Sequence, residues 1–524
     1  MMNQKSTESG ISGSDPEKTS KENLLNRRKF IGGITSAALA MTIVPRHVLG
    51  GNCFTAPSDK ITLAYIGNGT QGLRELLPLL SIPELQIIAV CDPQKNAIGY
   101  LDWGKTGLRD EIRSTLQKPD WTSGGDNTIP GGRDNGKEIV DTYYSKFRAD
   151  QKVRSCAAYA DFREMFEKEK DLDAVKIMTP DHLHGIIAMT AIKRGIHVSM
   201  HKPISNRLLE GNQVIEMAKK SKVTTHLIPW DSNGSMEQVM SWINEGAIGK
   251  LKEVHNWSNR PVWPQYPTLP IDKPAVPNGM DCDLWLGPEA DRPYHPNYTN
   301  MVFRGWYDFG GGSMADMGHY SLWTVYKALE LEAPTIIEPN FSHICGLQDS
   351  TAFQIRNDFS FPMASSVRFK YPAKGSRPAF DLIWYDGGMR PPVPEELYEN
   401  NKELPAEGMM FVGDKGKILA GFNVNSPHLI PEKRMSGITV PEMTKKEKTS
   451  GFKLFLEALK AGKQCPGSFT EAGAITEAVN LYAVSLRAGR ILQYDAANRK
   501  ITNVPEANKY LSREYRKGWN PDSM

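Results

Sequence analysis

The chain has 524 residues, with 63 Lys and Arg against 60 Asp and Glu and a formal net charge of +3, long enough for two or three domains. Charged residues make up 23% of it, so no large single-sign field argues for nucleic acid or an acidic partner. Six scattered cysteines (Cys53, Cys91, Cys156, Cys282, Cys345, Cys465) form no CxxC and no metal-ligand spacing, which argues against a disulfide framework and against a metal site.

Residues 1–26 are polar, charged and without aromatics, the composition of a disordered segment. A basic cluster follows, Asn26-Arg27-Arg28-Lys29-Phe30-Ile31, and then an apolar run from Gly32 to Val44 closed by Pro45. That run is too short to cross a bilayer as a helix. Adjacent arginines before Phe-Ile and a short apolar segment resemble an export signal of the twin-arginine type. Residues 1–50 are therefore read as a disordered start and signal, with a periplasmic destination and no stable membrane insertion after export. Cys53 follows Gly50-Gly51-Asn52, which is no lipoprotein box.

The next stretch, Lys60 to Asp92, opens with an apolar strand pattern, Ile61 to Ile66. Gly67-Asn68-Gly69-Thr70-Gln71-Gly72 follows at once, and Leu73, Leu76, Leu77 and Leu80 then recur at helical spacing. A second apolar run, Ile87 to Cys91, ends in Asp92, twenty residues beyond Gly72. Strand, glycine loop, helix and a distant acid together are the context a dinucleotide fingerprint requires. Gly67 makes the tight turn, Gly69 admits a pyrophosphate to the backbone, and Gly72 lets helix and strand pack closely. Asp92 accepts from the adenosine ribose hydroxyls and repels a 2′-phosphate, which favours NAD over NADP. If a folded chain is exported with such a site, the cofactor travels with it and returns to its starting redox state in each cycle.

From Asp92 to about Arg154 the chain is polar and rich in Gly, Asp and Lys, with helices expected over Gly107–Leu116 and Lys137–Phe147. An insertion of this length reads as a surface loop or a lid. Alternation of strand and helix then resumes: a strand at Ala157–Tyr159, a helix Phe162–Lys168 capped by Asp161, and a strand Asp173–Met178. A helix Gly185–Lys193, a strand His197–Met200, a helix Arg207–Lys220 and a strand Thr224–Ile228 complete it. This pattern predicts a doubly wound parallel sheet, with ligands beyond the carboxyl ends of its strands. Two polar clusters stand at such ends, Thr179-Pro180-Asp181-His182-Leu183-His184 and His201-Lys202-Pro203, so Thr179, Pro180, Asp181, His182, His184, His201 and Lys202 join the candidate cofactor residues.

Past residue 230 the composition turns β-rich, with strands expected at Gly249–Arg260, Thr351–Phe361, Ala364–Tyr371 and Phe380–Tyr385. Helical periodicity returns at Phe452–Leu459 and Ala472–Leu486. These helices are expected to pack back on the first domain. The tail Tyr510–Trp519 either completes the core or meets a partner subunit.

The segments AYIGNGTQG, AVCDP, MTPDHLHGIIAMTAIKRGIHVSMHKP, GAIGKLKEV, LWLGP and FRGWYDFGGGSMADMGHY resemble the Gfo/Idh/MocA oxidoreductase family, over about Lys60 to Leu492. The resemblance implies a Rossmann domain (58–228), an open mixed β-sheet domain (229–450) and C-terminal helices (451–524), an α/β plus α+β architecture. It implies NAD, a sugar, glycoside or polyol substrate, and a homo-oligomer formed through the second sheet. Lys202 matches the lysine of the family's Glu-Lys-Pro, with His201 in place of the glutamate. Asp316 matches the catalytic aspartate, but the histidine expected four residues on stands at His319 and Tyr320 takes its place. Arg304 and Trp306 are candidate substrate contacts. The implied reaction is hydride transfer from a secondary alcohol; the alternatives are a glycosidase or lyase working through transient oxidation at C3, and a non-catalytic NAD- and sugar-binding protein.

Overall fold

The computed structural model describes residues 60–523 apart from 124, 126–127, 150, 152, 230–234, 356, 399–400 and 432–449. The signal-like segment and Cys53 lie outside the described residues. Among those described, no helix is long and apolar enough to cross a membrane.

The first domain strings together β1 (Ile61–Ile66), α1 (Thr70–Leu76), β2 (Leu85–Cys91), α2 (Gly107–Leu116), α3 (Arg133–Phe147), β3 (Ala157–Tyr159), α4 (Phe162–Lys168), β4 (Ala174–Ile177), α5 (Asp181–Lys193), β5 (His197–His201), α6 (Leu208–Lys220) and β6 (Thr225–Ile228). Its six strands are ordered β3-β2-β1-β4-β5-β6, all parallel. That is the Rossmann order, with the switch point between β1 and β4. The central strands are apolar almost throughout because helices cover both faces. On one face Leu63, Tyr65 and Ile87 pack against Leu73, Ile112 and Ile139. On the other, Ala64, Ile66 and Val175 pack against Ile186 and Phe166.

A helix α7 (Ser235–Asn244) leads into the second domain, whose sheet is built on β7 (Leu251–Trp257). There follow α8 (Cys282–Leu286), α9 (Gly312–Ala328), β8 (Ile336–Phe341), the hairpin β9 (Ile344–Gln348) and β10 (Thr351–Ile355), β11 (Ser365–Tyr371), β12 (Phe380–Asp386), α10 (Glu395–Tyr398), β13 (Gly408–Gly413), β14 (Lys417–Ala420) and β15 (His428–Ile430). The last stretch gives α11 (Gly451–Ala461), α12 (Gly473–Ala488), β16 (Leu492–Asp495) and β17 (Lys500–Ile501). Nine strands form an open mixed sheet, β15-β14-β13-β7-β12-β11-β8-β16-β17, in which only β7 and β12 run parallel.

The last stretch divides its loyalties. Phe452 and Phe455 of α11 close one face of the first sheet, whereas β16 and β17 extend the edge of the second. The tail completes the core: Trp519 is buried against Phe162, and Arg513 reaches Glu210 and Glu289. Trp306, expected among substrate contacts, is also core. Its indole is buried, stacked on Tyr266, and donates to the Asn297 carbonyl at 2.6 Å.

Candidate active site

Four strand ends of the first sheet meet the start of α9 at a cavity of about 420 Å³. The glycine loop follows β1, Asp92 follows β2, Thr179 and Pro180 follow β4, and His201 and Lys202 end β5; all of them line it. From the second domain come Arg260, just past β7, then Arg304, Asp316, Met317 and Tyr320.

The loop's stereochemistry explains two of its glycines. Gly67 has φ +95°, and a Cβ there would lie 2.5 Å from the Met178 carbonyl carbon. A Cβ on Gly72 would overlap the Gly67 carbonyl oxygen. At Gly69 a Cβ would touch the Tyr100 ring at 3.4 Å and meet nothing nearer, so the protein itself has room for a methyl there. Helix α1 starts without a side-chain cap, leaving its first backbone N–H groups available to an anion. The Asp92 carboxylate accepts from the Asn68 N–H at 2.7 Å and the Gln94 N–H at 2.8 Å. Burial raises its pKa to about 6 against the pull of those two N–H groups. Each oxygen keeps a lone pair for a ribose hydroxyl. The residues present fit a dinucleotide. Asn68 itself is buried, its amide donating to the Cys91 carbonyl, so it shapes the turn and does not face the cavity.

At the other end, Lys202 Nζ donates to Asp316 Oδ1 at 2.7 Å. The ammonium is buried, and that burial lowers its pKa to about 8 although Asp316 pulls the other way. Burial alone would raise the Asp316 carboxyl, but Lys202, Arg304 and Arg260 outweigh it and hold the group well below its ordinary value. Arg260 Nε lies 3.3 Å from Asp316 Oδ2 and Arg304 Nε 3.4 Å from Oδ1. The Tyr320 ring lies under Lys202 Nζ, 5.3 Å to its centroid, and its hydroxyl is 3.3 Å from His201 Nε2. Burial and the neighbouring Lys202 charge depress His201 strongly, so its ring is neutral, and its Nε2–H tautomer donates to the phenol oxygen and leaves the phenolic proton free. Burial pushes the Tyr320 phenol up, so it stays protonated.

Several residues singled out from the sequence stand elsewhere. His319 is buried against Trp323, outside the cavity lining, with burial and then Lys202 taking its pKa to about 3. The helix phase thus sends His319 into the core and Tyr320 into the cavity. His182 faces the carbonyls of Trp285 and Phe309, and His184 those of Pro203 and Thr179. Both are fully packed and off the cavity because α5 begins at Asp181, four residues earlier than its apolar periodicity suggests. Asp181 is likewise internal: it accepts from Arg304 at 3.2 Å and from the Gly311 N–H at 3.0 Å, which ties Arg304 to the start of α9. Sequence reasoning missed Arg260, Tyr100 and Trp103, since no motif marks them. Among the described residues no His, Cys, Asp and Glu group is placed to hold a metal ion.

Residues 125–228 match the family described as "Oxidoreductase family, NAD-binding Rossmann fold" (Gfo/Idh/MocA), and residues 237–338 match its "C-terminal alpha/beta domain". These two matches support membership of the Gfo/Idh/MocA oxidoreductase family, and NAD is the cofactor of the first domain. The glycine loop precedes the first matched span; the insertion after β2 separates it in sequence, and the sheet rejoins it. The chain is 30% identical over 109 residues to levoglucosan dehydrogenase from Pseudarthrobacter phenanthrenivorans, covering 20% of this chain and 27% of that protein. It is 29% identical over 94 residues to the uncharacterized oxidoreductase YfiI of Bacillus subtilis, covering 18% of this chain and 24% of that one. The chain thus covers about a quarter of the length of either curated relative. Among solved structures, the WlbA dehydrogenase from Chromobacterium violaceum, in complex with NADH and UDP-GlcNAcA, aligns at 14% identity and TM-score 0.48 over 84% of this chain and 97% of its own. Aldose-aldose oxidoreductase from Caulobacter crescentus, complexed with glycerol, aligns at 13% identity and TM-score 0.46 over 83% and 99%.

Proposed function

We propose that the protein is an NAD-dependent oxidoreductase that takes a hydride from a secondary alcohol of a sugar, glycoside or polyol. The observation that carries this reading is the Lys202–Asp316 pair at 2.7 Å, in the same cavity as the glycine loop and Asp92. Bound NAD supplies the hydride acceptor. Lys202, neutral in its base form, takes the hydroxyl proton as the C–H hydride leaves, so the alcohol becomes a ketone. Asp316 stays ionised, aims the Lys202 amine and takes no proton itself. Tyr320, held by His201, donates its phenolic hydrogen bond to the developing oxyanion. Sugar dehydrogenation is also what the name of the levoglucosan dehydrogenase relative describes.

A second reading, elimination of an aglycone through transient C3 oxidation, is favoured by the Arg27-Arg28 cluster and the apolar run after it. A periplasmic enzyme leaves its NAD supply behind, and a reaction that returns the hydride needs no fresh cofactor. One experiment separates the readings. The purified protein is assayed for co-purified NAD(H) and then given glycosides without added cofactor. Reduction of bound NAD, reversed by a keto-sugar, supports the dehydrogenase. Aglycone release at constant cofactor redox state supports the elimination. Bound cofactor with neither response would leave a binding protein and overturn both.

A further inference from the structure

The insertion after β2 brings one side chain to the cavity that nothing above uses. Trp103 lines its mouth and is 61% exposed, an unusual state for an indole on a segment held in place. The stretch just before Trp103, residues 99–102, is anchored at both ends. Asp102, whose carboxylate is buried, takes a bidentate pair from Arg74 of α1, with both bonds at 2.7 Å. Gly99 gives its carbonyl to Asn300 Nδ2 of the second domain at 2.5 Å. Between them the Tyr100 ring lies on Gly131, so close that a Cβ there would overlap it. The indole stands one residue beyond this anchored stretch, open at the cavity.

The surroundings state what it faces. The Arg260 guanidinium lies 5.2 Å from the Trp103 ring centroid, and its Nε lies 3.3 Å from Asp316 Oδ2. Asp316 in turn holds Lys202. Trp103 is thus one guanidinium removed from the group assigned to the reacting hydroxyl. An aromatic face flanked by charged donors suits a pyranose ring: the ring's C–H face packs on the indole while its hydroxyls reach the donors. Trp263, which also lines the cavity, has an indole N–H without a partner among the described residues.

We propose that Trp103 is the stacking platform for the pyranose ring of the substrate and that the insertion after β2 sets sugar specificity. This rests on the oxidoreductase reading given above. The platform serves the sugar and leaves the cofactor to the glycine loop and Asp92. Its position beyond Arg260 places it over the part of the sugar away from the reacting carbon.

The test uses the NAD-loaded full chain, with methyl hexopyranosides as probes, comparing wild type, Trp103→Ala and Trp103→Phe. Trp103→Ala raises KM about tenfold, the size expected of a lost aromatic contact, and leaves kcat within about twofold. NADH affinity, read by its fluorescence, and the thermal midpoint stay unchanged, as they would not if the ring held the cofactor or the fold. Trp103→Phe recovers most of the loss. An unchanged KM in Trp103→Ala overturns the proposal, and so does NADH binding that weakens in step with KM. If the wild type oxidises no sugar, the oxidoreductase reading fails, and calorimetry with the same glycosides still decides this one. Weaker binding to Trp103→Ala upholds the platform; equal binding, or none to either protein, overturns it.

Discussion

In the proposed reaction Lys202 carries the most chemistry, and its environment sets the pH dependence that reaction would show. Burial lowers its pKa to about 8 from the ordinary 10.5, with Asp316 resisting. The base form is the deprotonated amine, so kcat/KM for alcohol oxidation rises about tenfold per pH unit below about 8 and levels off above it. Reduction of the matching ketone needs the ammonium, so it is level below about 8 and falls about tenfold per pH unit above it. The two opposed profiles are read from initial rates in each direction; a flat oxidation profile across pH 7–9 would sink the assignment of Lys202 as base. Much of this residue-scale picture is legible in the sequence, because a lysine before proline at a strand end and a glycine fingerprint are local patterns. What is not legible is which neighbour arrives from afar. Arg260 reaches Asp316 from the end of β7, and no spacing announces it. The choice between His319 and Tyr320 is a matter of helix rotation, set by how α9 packs.

The glycine loop shows how one element separates fold from binding. In Gly72→Ala the new methyl overlaps the Gly67 carbonyl, so the β1–α1 turn must open at a cost of about 1–3 kcal/mol. In Gly69→Ala the methyl meets only Tyr100 at 3.4 Å, and stability changes by no more than about 0.5 kcal/mol. The same methyl stands where the loop opens to the cavity, so NAD affinity falls by about tenfold or more, the equivalent of one lost charge-assisted hydrogen bond. Thermal unfolding and NAD titration of the two variants check the contrast; equal loss of stability in both would make Gly69 a structural glycine. Elements with strong periodicity read well from sequence: α2, α4, β1 and β3 run over the expected residues, and the other parallel strands differ by no more than two residues at an end. The missed elements lacked the pattern. β8 carries Pro339, which speaks against a strand, and β13, GMMFVG, has neither alternation nor many β-branched residues. β16 and β17 are four and two residues long. The strand expected to reach Phe361 is Thr351–Ile355, which among the described residues pairs with β9 alone, over those five positions.

At the scale of the molecule, the tail adds a polar tie between the two domains beside their shared core. Arg513 donates to Glu289 at 2.6 Å and to Asn206 at 2.5 Å, lies 3.1 Å from Glu210, and reaches the His182 carbonyl of α5 at 3.2 Å. All three charged side chains are nearly inaccessible to water. A buried cluster of this kind contributes little relative to an apolar replacement, whereas removing one member leaves a charge unpaired in a poor solvent for it. The two glutamates are not equally exposed to that loss. Glu289 keeps Arg207 at 3.1 Å, but among the described residues Glu210 keeps only the neutral hydroxyls of Ser205 and Tyr515. Arg513→Ala therefore destabilises by about 3–5 kcal/mol, most of it from stranded Glu210. Adding Glu210→Gln to Arg513→Ala removes that charge and restores a substantial part of the stability, although Glu210→Gln alone is destabilising. Denaturant unfolding of the four proteins measures the cycle. If the double variant is as unstable as the sum of the two singles, the tail acts through packing of Leu511 and Trp519, and the charge argument is wrong. Nothing local in the sequence couples residue 513 to residue 210. The link exists only because α6, the segment after α8 and the tail converge behind the same strand ends that carry the site.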